Sequence, residues 1–249
     1  GSTGTYSNGS AIFDAADQLR RQLLRAARAL RGRPLERFGV NDVRLADGAL
    51  VASDGTSVPL RSILGAHPDR QFEGRGITGR TFGYSRSQAR GSFGAVFVEV
   101  SVEPVTLAVR VERVVGAYAC GRIVEPMIAR SQLTGALIWG VGQALCEESR
   151  IDGRTGAWVN DEIGEALIPT HADVRRVEAH FVEETDPGNA ARGMKGLGEI
   201  GIVGTAAAVA NAFFDATGRR VRRTPMTIEH RLAAPVDPQW AATRTGGAA

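Results

Sequence analysis

The sequence predicts an α+β fold, with mixed sheets packed against helices, and three observations carry that prediction. Two alternating runs, residues 93–102 and 107–115, flank Glu103-Pro104 in the pattern of a β-hairpin with one buried face. Apolar stretches of helical length stand at residues 128–148 and 202–216. Strand and helix patterns alternate irregularly along the chain, which argues against a doubly wound parallel sheet.

Taken in order, residues 1–10 are small and hydroxyl-rich and read as a loop; the Gly-Ser start alone would also fit the remnant of an expression tag. Ser10 is a natural N-cap for a helix over residues 11–30, whose apolar residues Ile12, Leu19, Leu23 and Leu30 recur at helical spacing. Gly32 and Pro34 end that helix. Turn signals at Asp47-Gly48 and Asp54-Gly55 mark a small β meander over residues 38–59, closed by a short helix at 60–64. Residues 67–91 carry glycines and arginines with little periodicity and are expected to be a long connection.

The helix at 128–148 is apolar nearly all round, so it is expected in the core, with Gln132 and Gln143 as buried amides that need partners. A strand follows at 174–182, and the alanine-rich helix at 202–216 ends at Gly218. The chain is therefore divided into a helix and meander at 1–66, a connection at 67–91, an α+β region at 92–233 and a tail at 234–249, frayed from Thr243 on.

Composition narrows the function classes. The chain has 249 residues, 43% hydrophobic and 23% charged, with a formal charge of +3, which is ordinary for a globular protein. Its arginines are scattered without interleaved aromatics, so no nucleic-acid partner is expected. Cys120 and Cys146 lack paired metal or redox spacing and read as buried free thiols. The four histidines show no ligand motif, so no metal held by side chains is expected. No export signal and no run of eighteen apolar residues is apparent, so no membrane span and a cytoplasmic location are expected, with export inside a complex left open.

The most telling stretch is Met194-Lys195-Gly196-Leu197-Gly198-Glu199-Ile200-Gly201. Its glycines let the backbone approach a ligand, and the helix start behind them offers unpaired N–H groups. Glu199 is the only acid in that loop and reads as a working group. Gly196, Gly198 and Gly201 also spell the dinucleotide fingerprint, but no strand leads into them and no acid follows at the required distance. A NAD-binding dehydrogenase is thus the weaker alternative.

With these residues in view, nearly the whole chain resembles the C-terminal part of the molybdopterin-binding large subunit of the xanthine dehydrogenase and aldehyde oxidase family. The marks are Gly91-Ser92-Phe93-Gly94, Cys120-Gly121-Arg122-Ile123-Val124-Glu125-Pro126, and Ala129-Arg130-Ser131-Gln132-Leu133-Thr134-Gly135. They continue with Gly140-Val141-Gly142-Gln143-Ala144-Leu145 and end on the glycine loop with Ala206-Ala207-Ala208-Val209-Ala210-Asn211-Ala212 behind it.

The resemblance implies a molybdenum-dependent hydroxylation of an aldehyde or N-heteroaromatic substrate with oxygen from water, Glu199 acting as general base. It implies that Gln132, Gly135, Lys195 and Gly198 meet the cofactor and that Ser2, Thr3 and Gly4 line the pterin from the opening loop, which sets the tag reading aside. It further implies molybdopterin cytosine dinucleotide as the cofactor, with iron–sulfur clusters and FAD on partner subunits. Large subunits of the family are much longer, so a complementary N-terminal half is expected, whether this chain is a natural split subunit or a processed or truncated piece. An assembly subunit that keeps the fold without the cofactor is the other alternative. Residues 160–169 lack the aromatic that relatives often place before the Ile168-Pro169-Thr170 segment.

Overall fold

A computed structural model describes residues 4–77, 91–184 and 193–245, and these fall into two units, one built on residues 4–77 and the other on 91–184 and 193–245. Each is held by its own apolar cluster. Together they give the α+β class the sequence predicts.

The smaller unit starts with helix α1, Gly4–Ala29. The sequence placed that helix from residue 11 behind an N-cap at Ser10, but helical bonding runs back to Gly4 and Ser10 lies inside the helix, 4% exposed. Glycine, threonine, serine and asparagine are weak helix formers, and propensity is a prior that tertiary context overrides. Strands β1, Val43–Ala46, β2, Ala49–Ala52, and β3, Ser57–Pro59, form the expected antiparallel meander. The β1–β2 turn places both Asp47 and Gly48 at positive φ, the geometry of a tight hairpin turn. Helix α2, Leu60–Ala66, follows, and Leu23, Leu24, Leu50, Val58 and Ile63 close the core.

The connection expected from residue 67 does not run free at its start. Gln22 Nε2 donates to the Glu73 carbonyl at 2.8 Å and Arg75 N donates to Gln18 Oε1 at 3.2 Å. Gly74 and Gly76 pass so close to the Ala15 and Ala11 carbonyls that a Cβ at either would collide with them.

The larger unit is a three-stranded sheet in the order β4, Phe93–Val102, β5, Val109–Ala119, and β6, Val177–Phe181. β4 and β5 form the predicted hairpin, and β6 joins β5 in parallel. Between the Glu99–Arg113 and Val100–Val111 pairs the register slips by one residue at Glu112. That bulge lets Val111 and Val114, three apart, both reach 0% exposure. Gly94 and Gly116 leave room for the Tyr118 ring, since a Cβ on either would strike it.

Tyr118 is 1% exposed, and burial pushes its phenol up to about 12. The unfolded chain loses this proton near pH 10 while the fold retains it, so the associated stability is present below pH 10 and is lost as pH rises to 12. Roughly 2–3 kcal/mol should disappear over that window. Denaturant midpoints measured across it, beside Tyr118→Phe, check this.

Helix α3, Pro126–Leu145, and helices α4, Ile200–Val203, and α5, Thr205–Thr217, cover the sheet. Glu125 caps α3 by accepting from Met127 N at 3.2 Å, with Pro126 in the first turn. The expectation that α3 is buried all round is corrected: Leu133, Ala136, Leu137, Gly140, Val141 and Ala144 face the core, whereas Met127, Gln132, Gly135, Trp139 and Gln143 are exposed. Its composition is apolar on both faces, so periodicity hid the free one.

Helices α3 and α5 meet without side-chain thickness. A Cβ on Gly140 would stand 2.5 Å from Thr205 Cβ, and Thr205 is 0% exposed. Gly140→Val should therefore cost about 1–3 kcal/mol by overpacking, read as a lower denaturant midpoint. Residues Ile200–Thr217 are on average apolar enough, and long enough, to cross a bilayer by composition, although Asn211 and Asp215 interrupt the run. In the fold they break at Gly204 into two helices and send Thr205, Val209 and Phe213 into the core.

Gly218, at φ +70, ends α5 as expected. Helix α6, Ile228–Ala233, is capped by Thr227, and the supposed tail from residue 234 is partly structured: helix α7, Pro238–Thr245, returns Trp240 against Gly218. Trp240 Nε1 donates to the Asp215 carbonyl at 3.0 Å.

Candidate active site

The glycine loop is fastened to one end of the larger sheet, where β4 begins and the parallel pair β5 and β6 ends. Ser92, one residue before β4, donates through Oγ to the Gly196 carbonyl. Gly121, just beyond β5 and at φ +64, bridges to Met194, and Arg122 N donates to the Gly193 carbonyl at 2.7 Å. A Cβ on Gly121 would run into that carbonyl, so the close approach requires glycine there.

Glu184, beyond the end of β6, ties these segments together. One carboxylate oxygen accepts from Gly121 N at 3.2 Å and the other from Lys195 Nζ at 2.5 Å. The Lys195 side chain is 6% exposed and that of Glu184 22%. Lys195, which the resemblance assigns to the cofactor, is thus enclosed beside the loop and paired with Glu184. Its ammonium helps to hold the loop. Cys120 lies in the same cluster, 1% exposed, and burial raises its thiol above the usual range. Cys146, by contrast, is only half-buried.

Past this anchorage the chain turns outward. Gly198 is half-buried, and Glu199, one residue before α4, is exposed. Its carboxylate makes no hydrogen bond or ion pair among the described residues and does not cap the helix it precedes. The next turn is pressed onto α3: a Cβ on Gly201 would stand 2.7 Å from Ala136 Cβ and 3.1 Å from the Leu133 carbonyl. Tyr118 Oη reaches the Gly201 carbonyl from the sheet side at 3.4 Å.

The turn that follows Glu199 therefore packs on α3 at Leu133 and Ala136, the residues next in sequence to Gln132 and Gly135. Both are exposed, and no atom lies within 4 Å of where a Gly135 Cβ would be. The buried amide expected at Gln132 is instead a free one on the open face. Gly4 is exposed at the start of α1 in the smaller unit, a helical position and not the loop predicted. Ser2 and Thr3 lie outside the described residues.

Sequence reasoning missed Glu184, and it singled out Ser92 and Gly121 within motifs without reading their part in holding the loop. One signal was available: Lys195 is the sole lysine in a chain whose other basic residues are all arginine. A compact ammonium that tolerates enclosure was chosen where a planar guanidinium was used everywhere else.

What the site offers is an exposed carboxylate, an exposed amide, an uncovered glycine on a helix face and a rigid glycine-rich backbone. Among the described residues no three histidine, cysteine or acidic side chains converge as a metal nest. Such a donor set suits a large organic cofactor that brings its metal already chelated and is held through its polar edges.

Fold and site thus define a cofactor-binding domain. The chain belongs to the molybdopterin cofactor-binding domain family, whose model matches residues 1–175, a stretch that includes Gln132 and Gly135 and ends before Glu199. It is similar to the aldehyde oxidoreductase molybdenum-binding subunit PaoC of Escherichia coli K12, 43% identical over 148 residues, covering 59% of this chain and 20% of PaoC. The probable hypoxanthine oxidase XdhD of the same strain is 30% identical over 233 residues, 94% of this chain and 24% of that protein. Among solved structures, quinoline 2-oxidoreductase from Pseudomonas putida 86 shares the fold with a TM-score of 0.70 at 24% identity, over 92% of this chain and 30% of that one. The chain thus spans about a quarter or less of these curated relatives.

Proposed function

We propose that this chain is the C-terminal cofactor-binding part of a molybdenum hydroxylase of the xanthine dehydrogenase and aldehyde oxidase type. The observation that carries the reading is the exposed carboxylate of Glu199, without a partner among the described residues, presented by an anchored glycine loop whose next turn packs on α3 beside the exposed Gln132. The names of the relatives support an aldehyde or an N-heteroaromatic ring as substrate.

When bound, molybdopterin, in its cytosine dinucleotide form, supplies the redox chemistry of the reaction. The chain's own residues bind and handle the proton. The amide of Gln132 can donate to an acceptor on the cofactor, and the open helix face at Gly135 admits its edge. The carboxylate of Glu199 takes the proton as substrate is hydroxylated, and the Glu184–Lys195 tie keeps it in place while it does so. Cofactor, substrate and the complementary half of the large subunit exclude water from this carboxylate when bound. Electrons leave through iron–sulfur and FAD subunits.

The test is molybdenum content, with nucleotide released by acid, on the chain purified from its source with its partners attached. Near-stoichiometric molybdenum with released CMP is expected. Intact partners with neither would overturn the reading in favour of an assembly subunit.

A further inference from the structure

A second feature of the larger unit stands apart from the glycine loop. A cavity of about 440 Å³ opens between the C-terminal end of α3, the β4–β5 hairpin, residues 166–169 and α6. Most of its lining side chains are apolar, Val109, Val141, Leu145, Leu167 and Pro169 among them, with polar groups contributing nearly as much of the surface. Val141 and Leu145 lie six to thirteen residues along α3 from Gln132 and Gly135, about 9–20 Å at the helical rise.

One cation reaches this space. Arg231, on α6, lines the cavity and is 7% exposed. Its Nε is fully enclosed without a partner, and its guanidinium makes no hydrogen bond or ion pair with any described residue. The nearest acid on its own helix, Glu229, is exposed and acts on it only through space. The acid in the lining, Asp173, is held elsewhere, accepting from Thr170 N at 2.7 Å and Thr170 Oγ1 at 2.8 Å. Arg110 is the further cation that acts on Asp173.

A buried guanidinium left unpaired is costly, and its planar fork matches a carboxylate with two parallel N–H donors. Apolar walls suit a hydrocarbon body, and the charge on Asp173 disfavours a dianion such as phosphate. We propose that this cavity is a binding site for a small organic monocarboxylate, held through its carboxylate by Arg231 and through its carbon skeleton by the apolar walls. The site is independent of the cofactor reading.

The test is thermal unfolding and calorimetric titration of the chain in its purified complex, with hexanoate as probe and hexanamide as neutral control. Hexanoate should raise the unfolding midpoint in proportion to the logarithm of its concentration, and hexanamide should bind about tenfold more weakly or less well still. Arg231→Met should abolish the response to hexanoate. Ala108→Phe, an exposed position at the mouth, should block the response with Arg231 intact and keeps the test decisive if the first variant does not fold. Equal responses to acid and amide, or a response that survives both substitutions, would overturn the proposal. So would binding by the isolated chain that is lost in the complex, because a neighbouring polypeptide would then already fill the site.

Discussion

Replacing Glu199 with glutamine is expected to lower turnover of the molybdenum-loaded complex by roughly 10²–10⁴-fold, the usual worth of a positioned base, while molybdenum content and unfolding midpoint stay unchanged. The second half of that expectation follows from the structure. The carboxylate is exposed, caps nothing and has no partner among the described residues, so the fold does not depend on its charge. Glutamine keeps its shape and loses only its ability to take a proton. Turnover and metal content measured on the same preparation check the result, and unchanged turnover would sink the assignment of the base.

Lys195→Met should show the opposite profile. It leaves Glu184 facing Gly121 N alone, with a carboxylate whose side chain is 22% exposed and without its counter-charge. Breaking one partner of an enclosed pair costs about 3–5 kcal/mol, far above the worth of the surface pairs elsewhere on this chain. The loop that presents Glu199 should loosen with it, so the loaded complex should lose turnover along with stability. Adding Glu184→Gln to Lys195→Met should restore part of the stability, because a neutral amide needs no counter-charge. A double-mutant cycle by chemical denaturation measures the coupling.

The contrast between these two residues shows what the sequence revealed and what it withheld. The hairpin of β4 and β5 and the end of α5 at Gly218 were legible because alternation and a left-handed glycine are local signals. Glu199 was legible because it is the only acid among closely spaced glycines. Glu184 was not, since its role depends on β6 running parallel to β5 and ending beside Gly121, a pairing between distant segments. Gln132 was found for the right helix and the wrong environment: an apolar residue facing solvent, such as Met127 or Trp139, reads in sequence as one facing the core. The start of α1 was hidden for the converse reason, because Gly4, Thr5, Ser7 and Asn8 have a composition that signals a loop.

The enclosure of Lys195 also determines how the molecule can be handled chemically. The chain has one ε-amino group, and the fold shuts it behind Glu184 with 6% of the side chain reachable. Reagents that acylate amines therefore find no open lysine on the described surface, and cross-linking through lysines is blind to every face by which the chain could meet its partners. Tethering or mapping this protein in its native state has to go through carboxylates or the half-buried thiol of Cys146. Acylation of Lys195 itself becomes a sign that the loop has come away from the sheet.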